Sequence, residues 1–326
     1  MFVGGISSSD WDTLSSEEAN YPLMNRAIAG QYPSGSTIKA LTTFAGLKYG
    51  ICDGNSSWYC TGFWTGFGEQ YGMHCWLLSG HGTVNLITGI TNSCDIVFYE
   101  IGKGFFYNND HPEGMQETFR AFGLGALSGI DLPEEASGRV PDAEWKWNYF
   151  TSSPDDARKW QGGDNCNLAI GQGDLLVTCL QMANAYCGIA NRGPIYKPHV
   201  LKSINARNGN GSVIEYKNEV ILSPEEKDEH RDIVARGLYG VVYEESASQT
   251  IHWNNLDVTV NGKTGTAEQQ SIGEPVGWFV GYAPADKPQY VVAANLDCAP
   301  SGAGSGMYIV RDVFGAIYNQ PDNVGR

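Results

Sequence analysis

The spacing of apolar and polar positions changes character along the chain. After a Pro/Gly-punctuated approach, PLMNRAIAGQYPSGS (22–36), the run STIKALTTFAGLKYG carries apolar residues at helical spacing and ends at Gly50, which predicts a helix opened by Ser36. Residues 51–92 are rich in Gly, aromatics and Cys without a clear period, predicting irregular structure around short helices. SCDIVFYEI (93–101) predicts a turn entering an apolar helix. TCLQMANAYCGIA (178–190) predicts a helix capped by Thr178 and stopped by Gly193 and Pro194. Ser223-Pro224-Glu225-Glu226 has the hydroxyl, first-turn Pro and third-position Glu of a capping box and predicts a further helix start. Beyond it the pattern becomes strand-like: VTVNGKTGTAEQQ, VGWFVGYAP and YVVAANLD are joined by short turns, and GMYIVRDVFGAIY closes the chain as an amphipathic helix. Helices in the middle and an antiparallel sheet assembled late predict an α+β fold with a helical lobe.

Composition narrows the function more than the fold. The 326 residues carry a formal charge of -15, which repels nucleic acid and anionic lipid alike, and 42% hydrophobic content suits one compact, well-packed unit. No apolar run approaches the roughly 20 residues of a membrane span, and MFVGGISSSDWD lacks the regions of a signal peptide, so the chain is expected to be soluble with any anchor lying before Met1. Eight cysteines leave the redox compartment open.

Three short elements carry candidate chemistry: Ser36-Thr37-Ile38-Lys39, Ser93-Cys94-Asp95 and Lys263-Thr264-Gly265-Thr266. A serine at a helix start meets free N–H groups and the positive end of the dipole, and a lysine three residues on shares its face. A neutral lysine can take the proton of a serine nucleophile, and a second cation, Lys263, favours that neutral form. Gly265 on a strand edge leaves room for a substrate backbone added as a further strand, while Lys263, Thr264 and Thr266 offer a cation and two hydroxyls to a carboxylate. The N–H groups of Ser36 and Thr266 are candidates for an oxyanion hole.

S-x-x-K followed by K-T-G marks penicillin-binding proteins and class A β-lactamases. The chain resembles the transpeptidase domain of class B penicillin-binding proteins, elongation type, through NRAIAGQYPSGSTIK, GHGTVNL, SCDIVFYEIGKG, GLGALSGIDLPEEASGRVP, NLAIGQGDLLVTCLQMANAYCGIANRG, GKTGTAE and GWFVGYAPADKPQYVVA. The resemblance implies a penicillin-binding/β-lactamase-like fold with a five-stranded antiparallel sheet flanked by helices. Residues about 1–40 and 215–326 would form the α/β part and about 41–214 the helical lobe. It also implies D,D-transpeptidation of peptidoglycan stem peptides through an acyl-enzyme on Ser36, with acylation by β-lactams. Lys39 would be the base, Ser93 a proton carrier, and the anchored full-length protein would act with cell-wall elongation proteins on the extracytoplasmic face of the bacterial membrane. D,D-carboxypeptidase and β-lactamase-type hydrolysis are the alternatives, since both share the Ser/Lys chemistry. Two departures stand out. Ser34 replaces a second Pro, which loosens the turn. Asp95 replaces the usual Asn, and its charge works against a neutral Lys39.

No cofactor is required for this chemistry, but Cys60, Cys75, His81 and Cys94 make up the three thiolates and one imidazole of a structural zinc site. The irregular 51–92 region needs such a cross-link because it has little periodic apolar surface to bury. A Cys60–Cys75 disulfide with His81 and Cys94 merely packed is the competing arrangement. His74, His111, His199, His230 and His252 suggest no triad, and Trp278 and Phe279 are placed to line the cleft.

Overall fold

The computed structural model describes residues 5–16, 21–207, 211–244, 253–268, 275–297, 299 and 303–318; His252 lies outside them. Its framework is an antiparallel sheet whose central strand, Val276–Ala283, is buried throughout, with Asn261–Ala267 and Tyr290–Leu296 on either side. Alternation along the central strand divides the interior. Trp278, Val280 and Tyr282 join one core, which includes Phe44, Tyr186 and Ile189. Phe279 and Ala283 face a second, built with Val310 and Phe314 of the closing helix, Ala303–Ile317. A strand buried on both faces reads as a continuous apolar run because each face has its own helical cover. The α+β architecture is as expected. The sheet has three strands among the described residues, against the five expected, and the other described strands form separate two-stranded pairs.

The helix Cys179–Ala190 begins as expected, with Thr178 and Gln181 exchanging the bonds of a capping box. It packs on Tyr290–Leu296, while Asp228–Tyr243 packs against Asn261–Ala267. That second helix starts later than its sequence signature suggests. Its N-cap is Lys227, and the Glu226 carboxylate bonds the Nδ1 side of His230 at 3.2 Å, so the signature at Ser223 forms no cap. A buried acid–imidazole contact inside the fold outcompeted a local cap.

Residues 51–92 also differ from expectation. They contain two short antiparallel pairs, Ser57–Cys60 with Gly82–Asn85 and Phe63–Trp64 with Met73–His74, before the helix Leu86–Thr91. Strands of two to four residues are too short to show an alternation in sequence. Glycines allow their turns to press together: a Cβ on Gly62 (φ +91°) would lie 2.0 Å from the Leu78 carbonyl oxygen, and one on Gly80 (φ +80°) 2.3 Å from that of Cys60.

Candidate active site

Ser36 sits on a 3₁₀ turn, Gly35–Ile38, that leads into the α-helix Lys39–Lys48. The expected helix therefore begins at Lys39, and Ser36, the expected nucleophile, occupies the tighter entry turn. Close backbone approach dictates this geometry. A Cβ on Gly35 (φ +51°) would lie 2.7 Å from the Thr266 carbonyl oxygen, and one on Gly171 (φ +74°) 2.2 Å from that of Gly35. Gly265 belongs to the same set: its Cβ would meet the Ser34 carbonyl oxygen at 2.9 Å and Thr37 Cγ2 at 3.0 Å. Its missing side chain thus lets the strand dock on the nucleophile turn, a demand the sequence reading placed on substrate instead. The far edge of Asn261–Ala267, opposite its partner Val276–Ala283, carries no other strand among the described residues.

The three motifs converge. Lys39 Nζ donates to Asp95 Oδ1 at 2.7 Å, to the Ser93 carbonyl at 2.8 Å and to Ser93 Oγ at 3.2 Å, above the face of Phe98. Three acceptors match the three hydrogens of an ammonium. Lys263 Nζ donates to the same Ser93 Oγ at 3.0 Å and to Thr264 Oγ1 at 3.4 Å. Both lysines are fully buried, which a charged amine tolerates only with such partners. Among the described residues Ser36 Oγ is not bonded to Lys39 Nζ: the link between the two residues is the Lys39 backbone N–H to the Ser36 carbonyl, and the expected nucleophile's hydroxyl stands beside the network. Contacts of this kind commonly tighten only when substrate is bound.

Ser93 reaches its place through a left-handed backbone (φ +51°) immediately before the helix Asp95–Phe106. Asp95 opens that helix, and its second oxygen accepts the Trp76 backbone N–H at 2.9 Å. Ser34 is buried, and its backbone carbonyl accepts from Thr37 Oγ1 at 2.7 Å, a bond that a proline at this position would accept equally. Trp278 and Phe279 are buried and do not line the cleft. The Trp278 indole donates to the Pro33 carbonyl at 2.9 Å, bracing the turn from beneath.

Two contributors left no mark in the sequence. Gln172 Nε2 reaches the Thr266 carbonyl at 3.4 Å, and Tyr186 Oη donates to the Thr37 carbonyl at 2.9 Å. Each is distant in sequence from the motif it supports and sits in no recognisable pattern.

Beside Ser93 the side chains of Cys60, Cys75, His81 and Cys94 gather with ligand atoms all within 4.8 Å of one another. His81 Nδ1 lies 3.5 Å from the Cys60 sulfur and 3.6 Å from that of Cys75. A tetrahedral zinc with bonds of about 2.0 Å to nitrogen and 2.3 Å to sulfur separates such ligands by about 3.6 Å, so the donor set fits the ion in chemistry and spacing. The hydrogen bond from Cys94 lowers the Cys75 thiol, while the same contact and burial push Cys94 up. The three cysteines are free thiols in this arrangement.

The profile of the family described as "Penicillin binding protein transpeptidase domain" matches residues 7–318. The chain belongs to that family. As a penicillin-binding protein transpeptidase domain it is 32% identical to the peptidoglycan D,D-transpeptidase MrdA of Acinetobacter baumannii over 96% of its own length and 46% of the relative's. It is 30% identical to that of Haemophilus influenzae, over 98% and 49%. The chain thus spans about half the length of the curated relatives it matches. The crystal structure of Pseudomonas aeruginosa PBP2 in complex with WCK 5153 aligns with a TM-score of 0.81 at 28% identity, covering 97% of this chain and 65% of that one. The complex of PBP2 with MreC from Helicobacter pylori aligns at 0.76 and 26% identity, covering 99% and 55%.

Proposed function

We propose that this transpeptidase domain cross-links peptidoglycan by D,D-transpeptidation through an acyl-enzyme on Ser36. The observation that carries the reading is the Ser93 hydroxyl, which accepts from both Lys39 and Lys263 beside the nucleophile turn and so joins all three motifs in one network. Its relatives named as peptidoglycan D,D-transpeptidases support it.

In this mechanism Ser36 Oγ attacks the carbonyl between the two terminal D-Ala residues of a stem peptide, laid along the far edge of Asn261–Ala267. Lys39 in its neutral form takes the hydroxyl proton, and Ser93 passes a proton to the departing D-Ala nitrogen. The N–H groups of Ser36 and Thr266 face the developing oxyanion, where loss of one donor costs about 3 kcal/mol. Lys263, Thr264 and Thr266 hold the terminal carboxylate. The amine of a second stem then attacks the ester, forms the cross-link and returns Ser36 to its hydroxyl form.

Cys60, Cys75, His81 and Cys94 would hold zinc as a structural ion; when bound it cross-links the hairpins of residues 57–85 to the turn bearing Ser93. Convergence of all four groups favours this set over a lone Cys60–Cys75 disulfide. By its kinship with a PBP2 solved together with MreC, the full-length protein is proposed to work within a cell-wall elongation assembly at the outer face of the cytoplasmic membrane. No described helix is long and apolar enough to cross a membrane.

Intact-mass spectrometry after benzylpenicillin treatment tests the reading. One long-lived adduct on the Ser36 peptide, lost in Ser36→Ala, is expected. An adduct that survives that substitution overturns the assignment, and rapid release of penicilloate points to a hydrolase.

A further inference from the structure

Trp76 is 57% exposed, on the segment that packs beside the Ser93 turn. Its polar atoms account for the position. The indole Nε1 donates to the Asn92 carbonyl at 2.9 Å, and the backbone N–H donates to Asp95 Oδ2 at 2.9 Å. These two bonds bracket Ser93 from both sides, and the residue they bracket has the left-handed backbone that a side chain rarely adopts. On its other side Trp76 follows buried Cys75 and meets the His81 ring edge-on at 5.3 Å. The residue is thus fastened to the Cys/His cluster and reaches across to the catalytic turn.

We propose that Trp76 is a positioning residue for Ser93: its two hydrogen bonds hold the Asn92–Asp95 turn in the conformation that sets the Ser93 hydroxyl between Lys39 and Lys263. The intraturn bonds are few. Ser93 N–H donates to the Ile90 carbonyl at 3.1 Å and Cys94 N–H to that of Gly89 at 2.9 Å, both on the helix side. Asn92 O and Asp95 Oδ2 are fixed from the opposite side by Trp76. Without the indole bond the turn gains freedom to relax from positive φ, and the hydroxyl leaves the line joining the two amines. The effect falls on proton transfer and not on the pocket that receives the carboxylate.

The inference rests on the role given to Ser93 above, so the test pairs variants. Stopped-flow acylation by a chromogenic cephalosporin separates the dissociation constant from the acylation rate constant. Trp76→Phe keeps an aromatic ring and removes only the indole donor. The rate constant should fall roughly fivefold or more, as loss of one hydrogen bond predicts, with the dissociation constant within twofold of wild type. Trp76→Ala should match it. Hydrogen exchange in the peptide covering residues 89–96 should accelerate in both, without a comparable change elsewhere. If Ser93→Ala loses acylation while Trp76→Phe keeps the wild-type rate constant, or if Trp76→Phe weakens only binding, the positioning role is overturned and the Ser93 assignment stands. A Ser93→Ala protein that acylates at the wild-type rate overturns both.

Discussion

Asp95 makes the polarity of the site unusual at the level of single residues. Its carboxylate is bonded to a fully buried lysine at 2.7 Å, and removing one partner of a buried pair typically costs about 3–5 kcal/mol because the other charge is left uncompensated. Asp95→Asn keeps the shape and one acceptor oxygen but deletes the anion. The expected consequence is a lower thermal midpoint, read by calorimetry, and an unchanged midpoint would mean that the pair contributes nothing to stability. The motif residues were legible from sequence because S-x-x-K, S-x-D and K-T-G-T each carry chemistry in a local pattern. Ser93's double acceptor role was not, because it depends on two lysines 54 and 170 residues away.

Between elements, glycines decide how closely the strand and the nucleophile turn can meet. Gly265→Ala places a Cβ 2.9 Å from the Ser34 carbonyl oxygen, a backbone atom that can move only with the turn. Overpacking of this kind costs about 1–3 kcal/mol, and the displaced turn should also acylate more slowly. Gly163→Ala is the control: on the helix Gly162–Ala169 its Cβ meets nothing within 4 Å, and the gain in helix propensity should hold or raise the melting temperature. Equal loss in both variants would mean that packing at Gly265 is not special. The long helices and the three C-terminal strands were legible because each is long enough for its pattern, periodic or continuously apolar, to register. The hairpins of residues 57–85 and the late start at Asp228 were not. There, a turn contact or a single buried pair decided between alternatives of similar local merit.

Across the described residues one sheet joins two cores, and the least periodic segment gathers Cys60, Cys75 and His81 beside Cys94. Purified protein should contain one zinc per chain by elemental analysis. Stripping the ion should lower the melting temperature, by roughly 1.5 °C per kcal/mol lost at about 2.1 cal/mol/K of unfolding entropy per residue, and slow acylation while leaving the Ser36 peptide intact. A sulfur pair about 2 Å apart with no anomalous signal at the zinc edge would replace the ion with a disulfide. The sequence by itself determined the α+β class and singled out Ser36, Lys39, Lys263 and the four candidate ligands, because these depend on residue type and short-range spacing. Only the tertiary structure decided that Ser36 lies on a 3₁₀ turn, that Gly265 serves a backbone contact, that Trp278 braces the turn from below and that Trp76 spans from the cluster to Ser93. Those outcomes depend on which distant surfaces come within 3 Å of each other, and close packing of remote segments leaves no periodic trace in a chain.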